Sequence, residues 1–262
     1  MQVMILCGGF GTRLREQTET VPKPMVEIGG RPILWHIMKM YARHGMADFI
    51  LCLGYKGHII KEYFLNYASM NSDFTVRLGS ADDVTYHDVT HDEDKWRVTL
   101  TDTGEATMTG ARVLRASRYL ERDGGTFAVT YGDGVSDIDL GAALRFHRTQ
   151  GRLATVAGVR IPSRFGVIVR DGTRVTSFSE KPQIEEGLVS GGLFFFERGF
   201  LNYLSDDANC VLEQAPMRRC ASDGRMSVYE HTGFWQCMDT LRDWQKLQAL
   251  WDSGKCPWRT WT

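Results

Sequence analysis

The sequence predicts an α/β domain built on a mostly parallel sheet, with a smaller antiparallel region late in the chain. Three observations carry this expectation. An apolar run at residues 3–6 stops abruptly at Gly8, Gly9 and Gly11, as a buried strand does on entering a loop. Strand, loop and helix patterns then alternate, which is the rhythm of helices packed on a parallel sheet. Beyond residue 165 the pattern changes to short strands, and Asp171-Gly172 between two of them is a hairpin signal.

Each element follows from its own residues. Pro32 suits a first helical turn, and Ile33, Leu34, Ile37 and Met38 repeat at helical spacing behind it. Residues 49–53 form the next strand, Gly54 to Gly57 close it, and Ile59, Ile60, Tyr63 and Phe64 mark one face of a second helix. Residues 68–115 break the rhythm and are expected as an irregular insertion. Within it His87, Asp88 and His91 read as solvated loop rather than a metal site, residues 96–100 alternate like a strand, and residues 110–120 pattern as a helix. Residues 127–131 are a buried strand ended by Gly132-Asp133-Gly134, residues 138–147 a helix, and residues 153–159 and 193–196 strands. Residues 200–204 and 211–220 pattern as helical and 226–229 as extended, and a closing helix at 240–251 opens a C-terminal tail, 240–262. No repeat or linker divides the chain, so one domain spanning 1–262 is expected.

With 262 residues, 43% of them hydrophobic, the chain can bury a large core. Its net charge of −1 argues against a general polyanion surface, and hence against nucleic acid as a partner, while leaving room for a local basic pocket. Six cysteines lie far apart with no CxxC pair, which reads as reduced thiols. The apolar start is too short for a signal segment and no run approaches a membrane span, so a cytoplasmic protein without membrane contact is expected.

Three constellations carry chemistry. The first is the loop Gly8, Gly9, Gly11, Thr12, Arg13 with Lys23 downstream. Glycines leave backbone N–H groups uncovered for an anion, two cations can hold a triphosphate, and Pro22 and Pro24 limit how far Lys23 wanders. A tight turn with a surface arginine is the plainer alternative. The loop lacks the Gly-Lys-Ser/Thr of a P-loop and the Gly-x-Gly-x-x-Gly of dinucleotide folds. The second is Asp133, set between two glycines directly after a buried strand, a position suited to Mg²⁺. Asp239 is its candidate partner, although a helix N-cap would also occupy it. The third is Glu180 with Lys181, either a phosphate and hydroxyl contact or a surface ion pair. Gly191 and Gly192 nearby would admit a sugar ring against the backbone.

The stretches Leu6-Cys7-Gly8-Gly9-Phe10-Gly11-Thr12-Arg13-Leu14, Pro22 to Gly30, Gly54 to Gly57, Tyr131 to Gly134, Glu180 to Pro182 and Gly233 to Asp243 resemble the sugar-1-phosphate nucleotidylyltransferases, in order along nearly the whole chain. The resemblance implies a Rossmann-like mixed, mostly parallel sheet flanked by helices, of the nucleotide-diphospho-sugar transferase type, with the antiparallel region on the sugar side. It implies CTP and α-D-glucose 1-phosphate as substrates, CDP-glucose and pyrophosphate as products, and Mg²⁺ on Asp133 and Asp239. Arg13, Lys23 and Asp133 are then catalytic. Leu6, Gly8, Gly9, Gly11, Thr12, Arg13, Lys23, Thr107, Arg112 and Gly132 surround the nucleotide, and Glu180, Lys181, Gly191 and Gly192 the sugar phosphate.

The chain departs from the family at Ser190, where asparagine is usual, at Ala215, where an acid is common, and at Cys237, where proline is usual. The sugar is therefore glucose or a close relative. A uridylyl-, thymidylyl- or guanylyltransferase would use the same phosphate apparatus, and a non-catalytic nucleotide sensor could keep the fold. Relatives assemble, so a homo-oligomer is expected; Trp258 and Trp261 either face partner subunits or pack on their own domain.

Overall fold

The computed structural model describes the chain apart from residues 10, 12, 13, 15–17, 80–82, 88–91, 123–124, 161–166, 180–186 and 262, with 167–170 and 178–179 described by backbone alone. In chain order its first half comprises β1 (Gln2–Cys7), β2 (Glu27–Ile28), β3 (Arg31–Pro32), α1 (Ile33–Ala42), β4 (Asp48–Leu53), α2 (Gly57–Leu65), α3 (Tyr67–Asn71), β5 (Asp73–Val76), β6 (Val84–His87), β7 (Arg97–Asp102) and α4 (Thr109–Ala116). The second half comprises β8 (Thr126–Tyr131), β9 (Gly134–Ser136), α5 (Leu140–Gln150), β10 (Ala154–Val159), β11 (Val167–Asp171), β12 (Arg174–Ser179), β13 (Val189–Glu197), α6 (Ala215–Ser222), β14 (Met226–His231), β15 (Trp235–Cys237) and α7 (Leu241–Asp252).

Seven strands form the central sheet in the order β14-β10-β13-β8-β1-β4-β7. Pairings are parallel except where β13 runs against β8 and β10. Both faces are buried, and the strands show it residue by residue. Val3, Ile5 and Cys7 of β1 join Phe49, Leu51 and Leu53 of β4 in one core, while Met4, Leu6, Ile50 and Cys52 join the other. This is the period-two alternation of a pleated strand, made apolar on both sides because helices cover both sides. The first core takes side chains from α1, α2, α5 and α7, the second from α4, α6 and the 3-10 turn Arg198–Tyr203.

The strand order locates the site. From β1 the chain moves outward through β4 to β7 and then returns to β8, on the opposite side of β1. That reversal opens a crevice beyond the carboxyl ends of β1 and β8, where ligands of open α/β sheets bind.

Two expectations are corrected here, and an alternative left open for Trp258 is decided. Residues 68–115 are not irregular among the described residues: besides the expected strand and helix, present as β7 and α4, they hold the unexpected β5–β6 hairpin. Helix α6 starts at Ala215 rather than near 211, because Pro216 belongs in its first turn. Trp258 is fully buried within the first core, so it packs on its own domain. The predicted hairpin at Asp171-Gly172 is present as β11–β12, and all six cysteines are free thiols.

Candidate active site

Lys23 is the centre of the site. It opens a 3-10 turn, Lys23–Met25, closed by Met25 N donating to Pro22 O at 2.8 Å and anchored by buried Pro24 and Met25. Held in this way, its ammonium donates to Asp133 Oδ2 and to Asp239 Oδ1, each at 2.6 Å. The two aspartates meet through the pairing of β9 with β15, which sets Gly134 opposite Cys237. Met238 N then donates to Asp133 O at 2.8 Å.

Asp239 does not cap helix α7. Thr240 does, in a capping box with Asp243, so the Asp239 carboxylate is available to Lys23. A single cation bridging two carboxylates also tests the donor set for a metal. The paired oxygens converge on one positive centre, as hard divalent cations such as Mg²⁺ require.

A cavity of about 230 Å³ lies over the carboxyl ends of β1 and β8, lined by Leu6, Gly8, Gly9, Lys23, Thr107, Arg112, Gly132 and Asp133 among others. Seven of the ten sequence-predicted nucleotide residues thus meet here. Gly11 lies in the same loop at a φ of +62°, but is not part of the lining; Thr12 and Arg13 lie outside the described residues.

Two glycines of this loop have different reasons. A Cβ at Gly9 would meet nothing, which leaves the backbone open toward the cavity. At Gly8 it would lie 2.1 Å from the guanidinium carbon of Arg112, so any larger residue would displace that buried group. Arg112 itself is almost wholly buried. It donates to Gly8 O at 3.1 Å, Leu53 O at 2.9 Å, Thr103 Oγ1 at 2.8 Å and Glu105 O at 3.0 Å. It therefore ties the ends of β1 and β4 to the segment entering α4, and burial holds its pKa below the ordinary arginine value. Thr107 Oγ1 accepts from Arg115 Nη1 at 2.8 Å, which fixes the cavity wall.

A second cavity of about 300 Å³ adjoins the first across Tyr131 and Asp133, and is bounded by Ser190, Gly191, Gly192, Glu213, Trp235, Cys237 and Asp239 among others. Trp235 Nε1 donates to Gly191 O at 2.8 Å, pinning the wall on which a sugar would rest. Glu180 and Lys181 lie outside the described residues. Sequence reasoning missed Tyr131, Thr109, Glu213 and Trp235. Of these Tyr131 and Trp235, each within a quoted motif, carried a local signal.

Two cavities joined at a lysine-bridged carboxylate pair, on a sheet with this strand order, define an enzyme that brings two substrates together. The nucleotidyl transferase family matches residues 2–238, and the chain belongs to that family. It is 46% identical over 261 residues, the full length of both chains, to glucose-1-phosphate cytidylyltransferase of Salmonella typhi. It is 26% identical to mannose-1-phosphate guanyltransferase of Aspergillus oryzae, over 93% of this chain and 62% of that protein. The crystal structure of apo-UDP-glucose pyrophosphorylase shares the fold, with a TM-score of 0.68 at 17% identity over 97% of this chain and 98% of that one. Among the described residues no helix is long and apolar enough to cross a membrane.

Proposed function

We propose that the chain transfers a cytidylyl group from CTP to α-D-glucose 1-phosphate, giving CDP-glucose and pyrophosphate. The observation that carries this reading is the Lys23–Asp133–Asp239 cluster at the junction of two cavities. Full-length identity of 46% to a glucose-1-phosphate cytidylyltransferase supports the choice of base and sugar. The nucleotide belongs in the cavity over Gly8 and Gly9, the sugar phosphate in the cavity beside Gly191 and Gly192.

The chemistry follows from charge. A phosphate oxygen of the sugar phosphate forms a bond to the α-phosphorus of CTP, and the bond from that phosphorus to the oxygen bridging it to the β-phosphate breaks, releasing pyrophosphate. The nucleophile is already an anion, so no general base is needed. Repulsion between the two anions and their alignment are what the protein must overcome. Lys23 supplies a fixed positive charge, and the backbone at Gly9 lets phosphate approach. Arg13 adds a second cation in this proposal, and Glu180 with Lys181 holds the sugar phosphate. Asp133 and Asp239 would hold Mg²⁺, which when bound neutralises phosphate charge.

Residues 1–262 act as one nucleotidyltransferase domain in this reading. Copies of the chain associate, and the exposed apolar side chains of the β5–β6 hairpin support that. Use of CTP and six free cysteines accord with a cytoplasmic place of work.

The test is pyrophosphate release with glucose 1-phosphate, Mg²⁺ and each of CTP, UTP, dTTP and GTP. CTP is expected to give the highest kcat/KM. Preference for UTP would move the chain to another branch of the family, and CTP binding without pyrophosphate release would make it a sensor.

A further inference from the structure

The reaction proposed above asks two things of the Lys23 ammonium that its position does not allow together. It is to meet phosphate while Asp133 and Asp239 hold Mg²⁺. Yet it donates to Asp133 Oδ2 and to Asp239 Oδ1, each at 2.6 Å, and so stands where the two carboxylates converge. The Lys23 side chain is 13% exposed and those of the aspartates 26% and 24%, so water screens only part of this attraction. A hard cation takes carboxylate oxygens at roughly 2 Å. A metal held by the same two oxygens would therefore need the space that the ammonium fills, and would be repelled by its charge.

Lys23 can release the carboxylates without moving its backbone. The 3-10 turn fixes the main chain, with Met25 N donating to Pro22 O at 2.8 Å and Val26 N to Lys23 O at 3.1 Å. The ammonium, by contrast, ends a flexible four-carbon stem. Lys23 lines the nucleotide cavity with Gly8 and Gly9, and is absent from the lining of the sugar-side cavity. The anion within its reach is thus the phosphate of the nucleotide.

We propose, on the reading of Asp133 and Asp239 as metal ligands, that Lys23 holds the carboxylate pair against metal in the nucleotide-free enzyme and releases it when nucleotide phosphate draws its ammonium away. The divalent cation then binds with the nucleotide and not ahead of it. By linkage, removing the ammonium strengthens metal binding by as much as its competition weakens it.

The experiment measures Mn²⁺ binding directly, by electron paramagnetic resonance of the free ion, with neither nucleotide nor sugar phosphate present. It compares the wild type with Lys23→Met, Asp133→Asn and the double variant. Lys23→Met keeps the length of the stem and removes its charge, and is expected to bind Mn²⁺ about tenfold or more tightly than the wild type. Adding Asp133→Asn is expected to abolish that gain. Equal affinity in the wild type and Lys23→Met, lost in both on adding Asp133→Asn, overturns the proposal while leaving the carboxylates as metal ligands. A gain that survives in the double variant puts the ion elsewhere and removes the reading of the metal site as well. Because Lys23→Met leaves two carboxylates facing each other, its thermal melt is followed with and without Mn²⁺. A low melt that Mn²⁺ raises, where it leaves the wild type unchanged, is the expected result; a variant that Mn²⁺ neither binds nor stabilises overturns the proposal.

Discussion

At the scale of single residues, Asp133 and Lys23 make the sharpest prediction. Asp133→Asn keeps the side-chain shape and leaves Lys23 bonded to Asp239, so the fold is expected to survive. Turnover is expected to fall on the order of a hundredfold or more, because the variant loses a carboxylate that, in the proposed reaction, would hold the Mg²⁺ that neutralises phosphate charge. Steady-state turnover together with a thermal melt checks both halves; near-normal turnover in a folded variant would take Asp133 out of the machinery. Both residues stood out in the sequence because glycines and prolines flank them, and those flanks report local backbone. What the flanks do not report is partnership. The bonds from Lys23 to both aspartates depend on β9 pairing with β15, a contact between distant segments that no local spacing encodes. Arg112 shows the same limit from the other side. It lies in the expected cavity, yet its hydrogen bonds to Gly8, Leu53, Thr103 and Glu105 give it a task as a tie between strand ends.

At the scale of elements, the central strands were legible because burial on both faces forces unbroken apolar runs, as in β1 and β4. Strand β7 was legible through its alternation instead, because it is the sheet edge and only Thr101 along it is fully buried. The β5–β6 hairpin was hidden: all eight of its strand residues are exposed, so no core pattern marks them. Its face nevertheless carries Phe74, Val76, Val84 and Tyr86, with the rings of Phe74 and Tyr86 5.9 Å apart and Leu78 exposed at the turn. Contiguous exposed apolar side chains on a two-stranded ribbon are the surface that a second copy would cover in the association proposed above. Light scattering of the wild type is expected to give a mass above that of one 29.7 kDa chain. Replacing Phe74 and Tyr86 together by serine is expected to lower that mass while leaving the core cooperative, since neither side chain belongs to it. A wild-type monomer would end the association proposal, and an unchanged mass in the variant would move the contact elsewhere.

For the whole molecule, the C-terminal segment braces the site from behind. Trp244 Nε1 donates to Glu27 O at 2.9 Å and Gln248 Oε1 accepts from Gly29 N at 3.0 Å, so α7 grips the chain that follows Lys23. Gly29 has φ +61°, and a Cβ there would lie 1.9 Å from the Trp251 ring, so this grip requires glycine. The tail then closes over His36. Its Nε2–H donates to Ile28 O at 2.9 Å, Trp258 Nε1 donates to its Nδ1 at 3.4 Å, and Trp35, Trp251 and Trp261 surround the ring. Burial in this cage lowers the His36 pKa from 6.5 to about 4. Above about pH 6.5 the imidazole is neutral whether the chain is folded or unfolded, and stability does not depend on it. As pH falls below that, the unfolded chain takes up a proton that the folded chain refuses. Stability therefore drops until the folded pKa is reached, by a total on the order of 3 kcal/mol. Burial also lowers the pKa values of His44 and His147, which adds to the same slope, so the informative quantity is a difference. Urea unfolding at intervals between pH 7 and pH 4 is expected to show a shallower loss of stability in His36→Gln than in the wild type, whatever the variant's stability at pH 7. Equal slopes would mean that His36 takes its proton in the folded cage, and that the tail does not seal the ring behind the Lys23 loop from water.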